Sequence, residues 1–244
     1  LFRSTAVSHQ AAEDVHFVKN FIKGIIDRDL YADLVLQLYQ VYDVLEELLD
    51  RYADRNFASC HFPKELARRS ALELDVDFWH SKSPERLPLS PATQDYVDRL
   101  RDVAERNPLL LLAHSYTRYL GELSGGKILA RVAKRAMHLD GDGLDFYKFE
   151  HIESTTLFKN KYRQALDDLP LSDSQVKALV AEANVAFALN MRMFEELDVK
   201  ANVPGACVRP VAEALKYASP DYQAPDVDAS DECPFLQQKK QSAD

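Results

Sequence analysis

Apolar residues recur at three- and four-residue spacing along most of the first 197 residues, which is the pattern of amphipathic helices. One segment shows it from about residue 29 to residue 52, where a single helix face would carry Leu34, Leu38, Val41, Leu45, Leu48 and Leu49. No segment shows the strict alternation of a half-buried strand. With only seven glycines and eleven prolines in 244 residues, a turn-rich β fold is disfavoured. The sequence therefore predicts an all-α domain.

Local signals give approximate bounds for the helices. The predicted helices cover residues 4–26, 29–52, 63–79, 90–106, 108–137, 154–169 and 172 onward. Serine or proline opens several of them, and Gly141 and Gly143 break the chain before the sixth. From residue 198 prolines and acidic residues return and the periodicity fades. The predicted organisation is a helical domain over residues 1–197 and an acidic, mostly disordered tail over residues 198–244.

Net charge and cysteine content narrow the function classes. The formal charge is −9, so a general attraction to nucleic acid is not expected. Cys60, Cys207 and Cys233 form no CxxC pair, and an odd, sparse set is typical of a reducing compartment. The longest apolar run, residues 109–113, is far shorter than the roughly 20 residues that cross a bilayer. A membrane anchor is therefore not predicted in this chain.

The run YLGELSGGK, residues 119–127, places three of the seven glycines inside a segment that otherwise predicts a strong helix. Each glycine costs roughly 1 kcal/mol relative to alanine in a helix interior. One interpretation is close packing or a bend, and the other is clearance for a flat ligand beside the backbone. Both predict a kink. The ligand interpretation is favoured because Arg118 and Glu122 share this segment, and buried polar groups need partners.

Four segments of the chain resemble the haem oxygenase family. They are AHSYTRYLGELSGGKILARVAKRA at 113–136, FPKELARRSALELDVDFW at 62–79, FKNKYRQALDDL at 158–169 and AFALNMRMFEEL at 186–197. The resemblance is collinear over about residues 8–197 and is to the biliverdin-producing, animal-type enzymes. It implies a haem oxygenase-like multi-helix bundle that holds haem between a proximal helix and a kinked distal helix. It also implies an oxidoreductase that uses O₂ to convert haem, as both substrate and prosthetic group, to biliverdin, CO and ferrous iron.

The proximal helix of the family supplies one histidine to the haem iron, and the matching residue in SHQAAEDVHFVKNF is His9. Imidazole is a common haem ligand. Glu13, one turn later, matches the glutamate that orients this imidazole. His16 competes with His9, because a spacing of seven residues brings it near the same helix face. The resemblance places the metal ligand at His9.

The resemblance assigns the other pocket residues by position. Small residues that would lie over the iron and leave room for O₂ are Gly121, Ser124, Gly125 and Gly126. Residues that match the pocket lining and its water network are Tyr116, Thr117, Arg118 and Asn190. Residues that match the propionate-binding cations and an apolar wall are Lys159, Arg163 and Phe187. The catalytic set that the resemblance implies is Glu122, Arg118, Tyr116 and Gly121.

Glu122 departs from the family, which usually has aspartate at this position. The carboxylate is kept, but the side chain is longer by one methylene, about 1.5 Å. Proton relays through water depend on positions at about the 0.5 Å scale. Either the water network adapts and haem is hydroxylated, or the relay fails and peroxidase-like chemistry replaces ring opening. We expect turnover to be retained, because Arg118 and Tyr116 are present to rebuild the network.

Electrons must come from a partner, because the sequence has no GxGxxG run and nothing else that resembles a nicotinamide or flavin site. The resemblance implies NADPH as the source, through NADPH-cytochrome P450 reductase or a ferredoxin-type donor, with biliverdin reductase downstream. One group of basic residues would either bind an acidic partner or simply be a solvated helix face: Lys127, Arg131, Lys134 and Arg135. The implied location is intracellular, either associated with the endoplasmic reticulum membrane, cytoplasmic or in an organelle.

Cys233-Pro234 in the tail resembles the Cys-Pro haem-responsive motifs of some animal haem oxygenases. Its thiolate would bind haem, or form a redox-sensitive disulfide with a second cysteine such as Cys207. Together with Glu122, this motif supports an alternative function, a haem-binding or haem-sensing protein of the same fold with impaired turnover. A helical scaffold that has lost haem is disfavoured, because His9 and the glycine run occur together.

Overall fold

Helices form over the segments that carry the apolar spacing. The computed structural model describes residues 5–80 and 87–219. The helices are α1 (Ala6–Glu13), α2 (His16–Ile22), α3 (Arg28–Asn56), α4 (Pro63–Leu66), α5 (Arg69–Trp79), α6 (Pro91–Arg106), α7 (Leu111–Ala136), α8 (Thr155–Asp167), α9 (Asp173–Lys200) and α10 (Val211–Leu215). Single 3₁₀ turns lie at Ala58–Cys60, Pro108–Leu110, Asp145–Tyr147 and Lys216–Ala218. These described ranges contain no strand, and the all-α prediction is confirmed.

Helix α3 packs against α5, α6, α7 and α9 and so forms the centre of the bundle. It begins where the Asp27 carboxylate accepts the backbone N–H groups of Asp29 and Leu30. Its inward face is fully buried at Tyr42 and Leu45. Burying one large apolar side chain is worth about 1.5–3 kcal/mol. This face therefore fixes where α7 and α9 lie relative to α3.

The predicted first helix is divided in two. The chain is extended at Val15, with ψ 138°, between α1 and α2. The carboxylate of Asp198, in α9, accepts the N–H of Phe17 at 3.1 Å and contacts His16 Nδ1 at 3.0 Å. An N–H at the start of a helix has no partner within that helix, so this carboxylate caps α2 and stabilises the break. The prediction of one helix was wrong because the capping group lies 181 residues away from Phe17.

Residues 63–79 also form two helices, α4 and α5, where the sequence predicted one. Pro63 opens α4 as predicted. Glu46 of α3 then accepts the backbone N–H groups of Arg68 and Arg69, at 2.6 and 3.1 Å, and so caps α5. The capping group again belongs to a different helix, and the spacing of residues within 63–79 could not reveal it.

The serine signals at three other helix starts are confirmed. Ser90 Oγ accepts the N–H of Thr93, and Ser154 Oγ accepts the N–H of Leu157. At the start of α9 a complete capping box is formed, in which Ser172 and Gln175 each bind the other's backbone. These predictions succeeded because both partners of each cap lie within three residues of one another.

The helical body continues beyond residue 197, where the sequence predicted its end. Helix α10 packs against α9, with Ala214 fully buried. Between them Arg209 binds back to α9: its Nε donates to Glu195 Oε1 at 2.7 Å, and its carbonyl accepts from Arg192 Nε at 2.9 Å. These contacts join residues 198–219 to α9 although the apolar periodicity fades there, and the predicted division of the chain at residue 197 stays a prediction.

The remainder of the predicted tail, including the Cys233-Pro234 motif, lies outside the described residues. Cys207 is exposed with a free thiol, and Cys60 is a buried free thiol. A bond between Cys207 and Cys233 stays a prediction. Within residues 5–80 and 87–219, no helix combines the length and the apolar character that crossing a membrane requires.

Helix α7 keeps its helical hydrogen bonding through Gly121, Gly125 and Gly126, so the glycines neither end nor divide it. The kink that the sequence predicted at these residues stays a prediction. Lys134 and Arg135 occupy the last turn of α7, where cations interact favourably with the helix dipole. The last turn of the helix is thus stabilised by charge, and the glycines weaken its middle.

Candidate functional site

A cavity of about 830 Å³ is lined by residues of α1, α2, α3, α7, α8 and α9. Its volume lies in the upper part of the range for ligand sites, roughly 300–1,000 Å³. The apolar side chains that line it include Val7, Phe17, Phe21, Leu34, Leu38, Phe187 and Phe194. Val7 is 48% exposed although it is apolar, because it faces this opening rather than the core. The cavity therefore suits a large and mainly apolar ligand.

His9 of α1 lines this cavity and is partly buried. Its Nδ1 lies 3.5 Å from Oε1 of Glu13, and its ring packs edge-on against Phe187 with the centroids 5.7 Å apart. Burial lowers the pKa of His9, which favours the neutral imidazole near pH 7. Burial, with a smaller contribution from Asp14, raises the pKa of Glu13 to about 7. Since a neutral imidazole is the form that binds a metal, His9 is suited to that role.

His16, the competing histidine, is not among the residues that line the cavity. Its Nδ1 contacts Asp198 Oδ1 at 3.0 Å, and its Nε2 contacts Asn20 Nδ2 at 3.2 Å. The break at Val15 also ends the helical register that would have placed both histidines on one face. Both ring nitrogens of His16 thus have partners, and His9 is the histidine open to a ligand in the cavity.

The three glycines of α7 have different surroundings. Gly121 lines the cavity, and a methyl group added there would meet nothing within 4 Å beyond its own helix backbone. Gly125 has the same open space but does not line the cavity. Gly126 is buried, and an added methyl group would lie 3.3 Å from Cδ1 of Tyr147. Gly121 therefore leaves room for a ligand in the cavity, whereas Gly126 allows the ring of Tyr147 to pack closely against α7.

Glu122 lies on α7 between these glycines and borders the cavity. Its side chain is partly accessible from the cavity and is otherwise surrounded by protein. Burial raises the pKa of its carboxyl group to about 7, although the positive charges of Arg118 and Arg68 act in the opposite direction. A carboxyl group with a pKa near 7 can act as acid and as base at neutral pH.

Arg118 is 4% exposed and reaches the cavity one helix turn before Glu122. Its Nη1 donates to Asn190 Oδ1 at 2.8 Å, and its guanidinium lies 5.0 and 5.5 Å from the ring centres of Tyr96 and Tyr42. Its Nε is buried and has no hydrogen-bond partner within the described residues. A buried donor beside a cavity is a site for an ordered water or a polar ligand atom.

Polar groups from α7 and α8 meet at one side of the cavity. Tyr116 and Arg163 both line it and hydrogen-bond each other. Lys159 Nζ donates to Ser124 Oγ at 3.2 Å, and of this pair only Ser124 lines the cavity. Two cationic side chains thus lie beside the cavity, where they would neutralise the anionic edge of a ligand.

The sequence is similar to those of relatives from a cyanobacterium and from humans. The family model described as Heme oxygenase matches residues 1–196. The chain belongs to the haem oxygenase family. Heme oxygenase 1 of Synechocystis sp. is 46% identical to this haem oxygenase, covering 81% of this chain and 83% of the relative. Heme oxygenase 1 of Homo sapiens is 42% identical, covering 81% of this chain and 70% of the relative.

The solved structures extend the likeness to the fold. The crystal structure of heme oxygenase-1 from Synechocystis sp., in complex with heme, aligns with this haem oxygenase at a TM-score of 0.78 and 45% identity. The alignment covers 82% of this chain and 92% of that structure. The helical-bundle architecture expected from the resemblance is confirmed.

The cavity of this haem oxygenase fits haem. Its apolar walls suit a macrocycle, and the neutral imidazole of His9 suits an axial position on iron. Gly121 leaves free the space that a flat ligand beside α7 would need. Arg163 stands at the cavity wall, where it would bind a propionate. Each chemical part of haem therefore has a matching group in the cavity.

Sequence reasoning missed several groups that act on Glu122 or on its neighbours: Tyr31, Tyr42, Arg68, Tyr96 and Tyr147. Tyr147 lies in the aromatic run GLDFYKF, and the preceding glycines predicted only a loop there. Arg68 lies at the break between α4 and α5, which was itself not predicted. These groups reach the site through long-range packing, for which the sequence offers no local signal.

Proposed function

We propose that this haem oxygenase cleaves haem oxidatively to biliverdin, releasing CO and ferrous iron, and that His9 is the axial ligand of the haem iron. One arrangement carries the proposal. A single cavity of about 830 Å³ is lined both by the imidazole of His9 and by Glu122, whose carboxyl pKa is about 7. Oxidative cleavage needs from the protein a ligand for the iron and a group that exchanges protons near neutral pH.

Bound haem supplies the iron at which O₂ is reduced and the macrocycle that is oxidised. The imidazole of His9 would hold the iron, and Glu13, 3.5 Å from Nδ1, would orient the ring. The edge-on contact with Phe187 limits rotation of the same ring. These two contacts fix the direction in which His9 presents its second nitrogen.

The residues of α7 deliver protons. Gly121 keeps side-chain atoms out of the space beside the helix. Glu122 accepts a proton from cavity water and returns it, since its carboxyl group is near its pKa at neutral pH. Arg118, held by Asn190 at 2.8 Å, offers its buried Nε to the same water. Tyr116 and Arg118 thus border a cavity in which ordered water can link the surface to the reaction.

Basic residues of α8 would hold the propionates. Arg163 lines the cavity with its partner Tyr116. Lys159 bridges α8 to α7 by donating to the neutral hydroxyl of Ser124. A propionate is a stronger acceptor than a hydroxyl for the Lys159 ammonium, because the propionate carries a negative charge that attracts the cation. Lys159 would therefore be available to hold a propionate in place of Ser124.

Electrons come from NADPH through a partner protein, either NADPH-cytochrome P450 reductase or a ferredoxin-type donor. The basic group on α7 supports an acidic partner surface, because all four of its members are exposed: Lys127, Arg131, Lys134 and Arg135. An exposed surface of one charge speeds the encounter with a partner of opposite charge. Biliverdin reductase would consume the product downstream.

The alternative of a haem sensor with impaired turnover is not favoured. The curated relatives at 42% and 46% identity carry the name heme oxygenase. Glu122, which motivated the alternative, has the pKa near 7 that a proton relay needs.

The test reconstitutes the protein with haem, adds NADPH and a reductase, and follows the Soret band together with biliverdin absorption and CO. We expect the Soret band to disappear as biliverdin forms. His9→Ala should lose the spectrum of histidine-bound haem and the turnover, because no second histidine lines the cavity within residues 5–80 and 87–219. His16→Ala is the matched control and should keep both. Persistent haem without biliverdin in the wild type would overturn the proposal.

A further inference from the structure

Tyr147 lies close to Glu122, and the roles assigned so far give Tyr147 no function. It is buried, lies in the turn Asp145–Tyr147 and lines the cavity. A methyl group at Gly126 would lie 3.3 Å from Cδ1 of Tyr147 and 3.9 Å from Oε2 of Glu122. Gly126 is therefore the point on α7 where the phenol ring and the carboxylate converge, and its missing side chain admits the ring.

The phenol of a second tyrosine, Tyr31, lies near that of Tyr147. Tyr31 of α3 is 1% exposed, its phenol lies close enough to that of Tyr147 for each to affect the other's pKa, and its ring packs against Trp79 with centroids 5.1 Å apart. Burial raises the pKa of both phenols, so both stay protonated at neutral pH. Each protonated phenol has one proton to donate in a hydrogen bond. Among charged groups, Glu122 acts most strongly on Tyr147.

Helix α5 fixes the turn that carries Tyr147. The buried carboxylate of Asp75 accepts the N–H of Asp145 at 2.7 Å and the N–H of Phe146 at 2.8 Å. Trp79 Nε1 donates to the carbonyl of Gly143 at 3.0 Å. Three hydrogen bonds to one helix leave the turn little freedom, so the phenol of Tyr147 is held where it stands.

We propose that Tyr147, backed by Tyr31, is a positioning residue that holds the Glu122 carboxylate for proton delivery through a hydrogen bond relayed by cavity water. The proposal rests on the function proposed above. No direct bond joins the two side chains in the described structure, but both line the same cavity, where a bridging water is nearly as effective as a direct bond. A longer carboxylate needs such a partner, because its extra methylene adds a freely rotating bond.

Other groups also face Glu122. Arg118 on its own helix and Arg68 at the start of α5 favour its ionised form. Tyr42 of α3 lies within the field of the same carboxylate and stays protonated. None of these comes from the 145–147 turn, so removing the Tyr147 hydroxyl leaves all of them in place.

The first experiment measures the pKa of Glu122 in the haem-free protein by NMR of ¹³C-labelled glutamate carboxyls, with the signal assigned by its loss in Glu122→Gln. Tyr147→Phe keeps the ring against Gly126 and removes only the hydroxyl. We expect the pKa of Glu122 to rise by roughly half to one unit, because its ionised form loses a donor.

Tyr162→Phe is the matched control. Tyr162 is fully buried and hydrogen-bonds Ser115 Oγ at 2.5 Å, so this variant also loses one buried phenol hydroxyl. It should leave the pKa of Glu122 unchanged. An unshifted pKa in Tyr147→Phe, or an equal shift in Tyr162→Phe, would overturn the assignment of Tyr147.

The second experiment measures turnover. Tyr147→Phe should lower kcat for biliverdin about tenfold with KM unchanged, and should have no further effect in a Glu122→Gln background, because the two residues act as one unit. An unchanged kcat, or an equal loss in the Glu122→Gln background, would overturn the positioning role. A wild type that forms no biliverdin would overturn the proposed function instead, and the NMR titration does not depend on that outcome.

Discussion

Glu122 extends its carboxylate one methylene further from the backbone than aspartate would. Arg118 of α7 and Arg68, at the break between α4 and α5, act on its charge, and Gly126 leaves room beside it. A pKa of about 7 means that protonated and ionised forms are both well populated at neutral pH. The carboxylate can therefore accept and return a proton at small energetic cost, and the longer side chain is compatible with a proton relay.

Replacement of Glu122 tests this role by turnover. Glu122→Ala removes the carboxylate and should lower kcat for biliverdin by about 100-fold, the effect expected for loss of one acid–base group. Glu122→Asp keeps the carboxylate and should equal or exceed the wild type. Haem titration should give similar affinities for both variants, since neither alters His9. If Glu122→Ala turned over as fast as the wild type, protons would reach O₂ by another route.

The same residue makes the stability of the haem-free protein depend on pH. The pKa of Glu122 is raised from 4.5 to about 7, so the folded state favours the protonated form. Its contribution to stability is complete below pH 4.5 and is lost as the pH rises to 7. Glu122→Gln cannot ionise, so the stability of the variant relative to wild type should increase by about 3 kcal/mol between pH 4.5 and 7.5.

Urea unfolding of both haem-free proteins across this pH range measures that difference. Glu13 and Asp75, whose pKa values burial also raises, are present in both proteins and cancel in the comparison. A difference that is constant with pH would show that Glu122 has an ordinary pKa.

At the scale of the element, the glycines of α7 lower helix propensity in its middle and have two different roles. Gly121 leaves open space at the cavity, and Gly126 allows close packing. Gly121→Ala should stabilise the haem-free protein by up to about 1 kcal/mol, because an added methyl group meets nothing within 4 Å and alanine is the better helix former. It should also weaken haem binding, because the methyl group occupies space at the cavity. Thermal unfolding and haem titration measure the two effects.

Gly126→Ala is the matched variant on the same helix. Its methyl group would lie 3.3 Å from the ring of Tyr147, so the gain in helix propensity should be cancelled by crowding. If Gly121→Ala bound haem as tightly as the wild type, the clearance interpretation of this glycine would be wrong.

The helix boundaries show which elements a sequence can specify locally. The starts at Ser90, Ser154 and Ser172 were predicted because the capping serine and the capped N–H are three residues apart. The starts of α2 and α5 were missed because carboxylates of α9 and α3 cap them. A cap supplied by tertiary packing leaves no periodic signal near the helix that it begins.

At the scale of the whole molecule, spacing could predict the helices but not the assembly of the site. Residues on α7 can be placed on one helix from the sequence, yet the bond between Arg118 and Asn190 spans 72 positions. The resemblance to haem oxygenases supplied that pairing of segments, and the cavity brings His9 and Glu122 to one space. Tyr147 was not predicted as a site residue, because it lies on a loop whose position is set by hydrogen bonds to the distant helix α5.

The segment 198–219 belongs to the helical body and supports the side of the molecule that carries His9. Asp198 caps α2, which follows directly on α1, and Arg209 joins the segment to Glu195 of α9. A chain ending at residue 197 should therefore unfold with a free energy about 3 kcal/mol lower than a chain ending at residue 219, from the lost cap and the lost buried contacts.

Haem binding should weaken in the shorter chain as well, because α2 loses the group that holds its first turn next to α1. Asp198→Ala in the chain ending at residue 219 isolates the cap and should cost about 1 kcal/mol, with a smaller loss of haem affinity. Urea unfolding and haem titration of the three proteins separate the cap from the packing of α10. Equal stability and equal affinity of the two chain lengths would support the predicted domain boundary at residue 197, since the contacts of Arg209 would then contribute nothing to the fold.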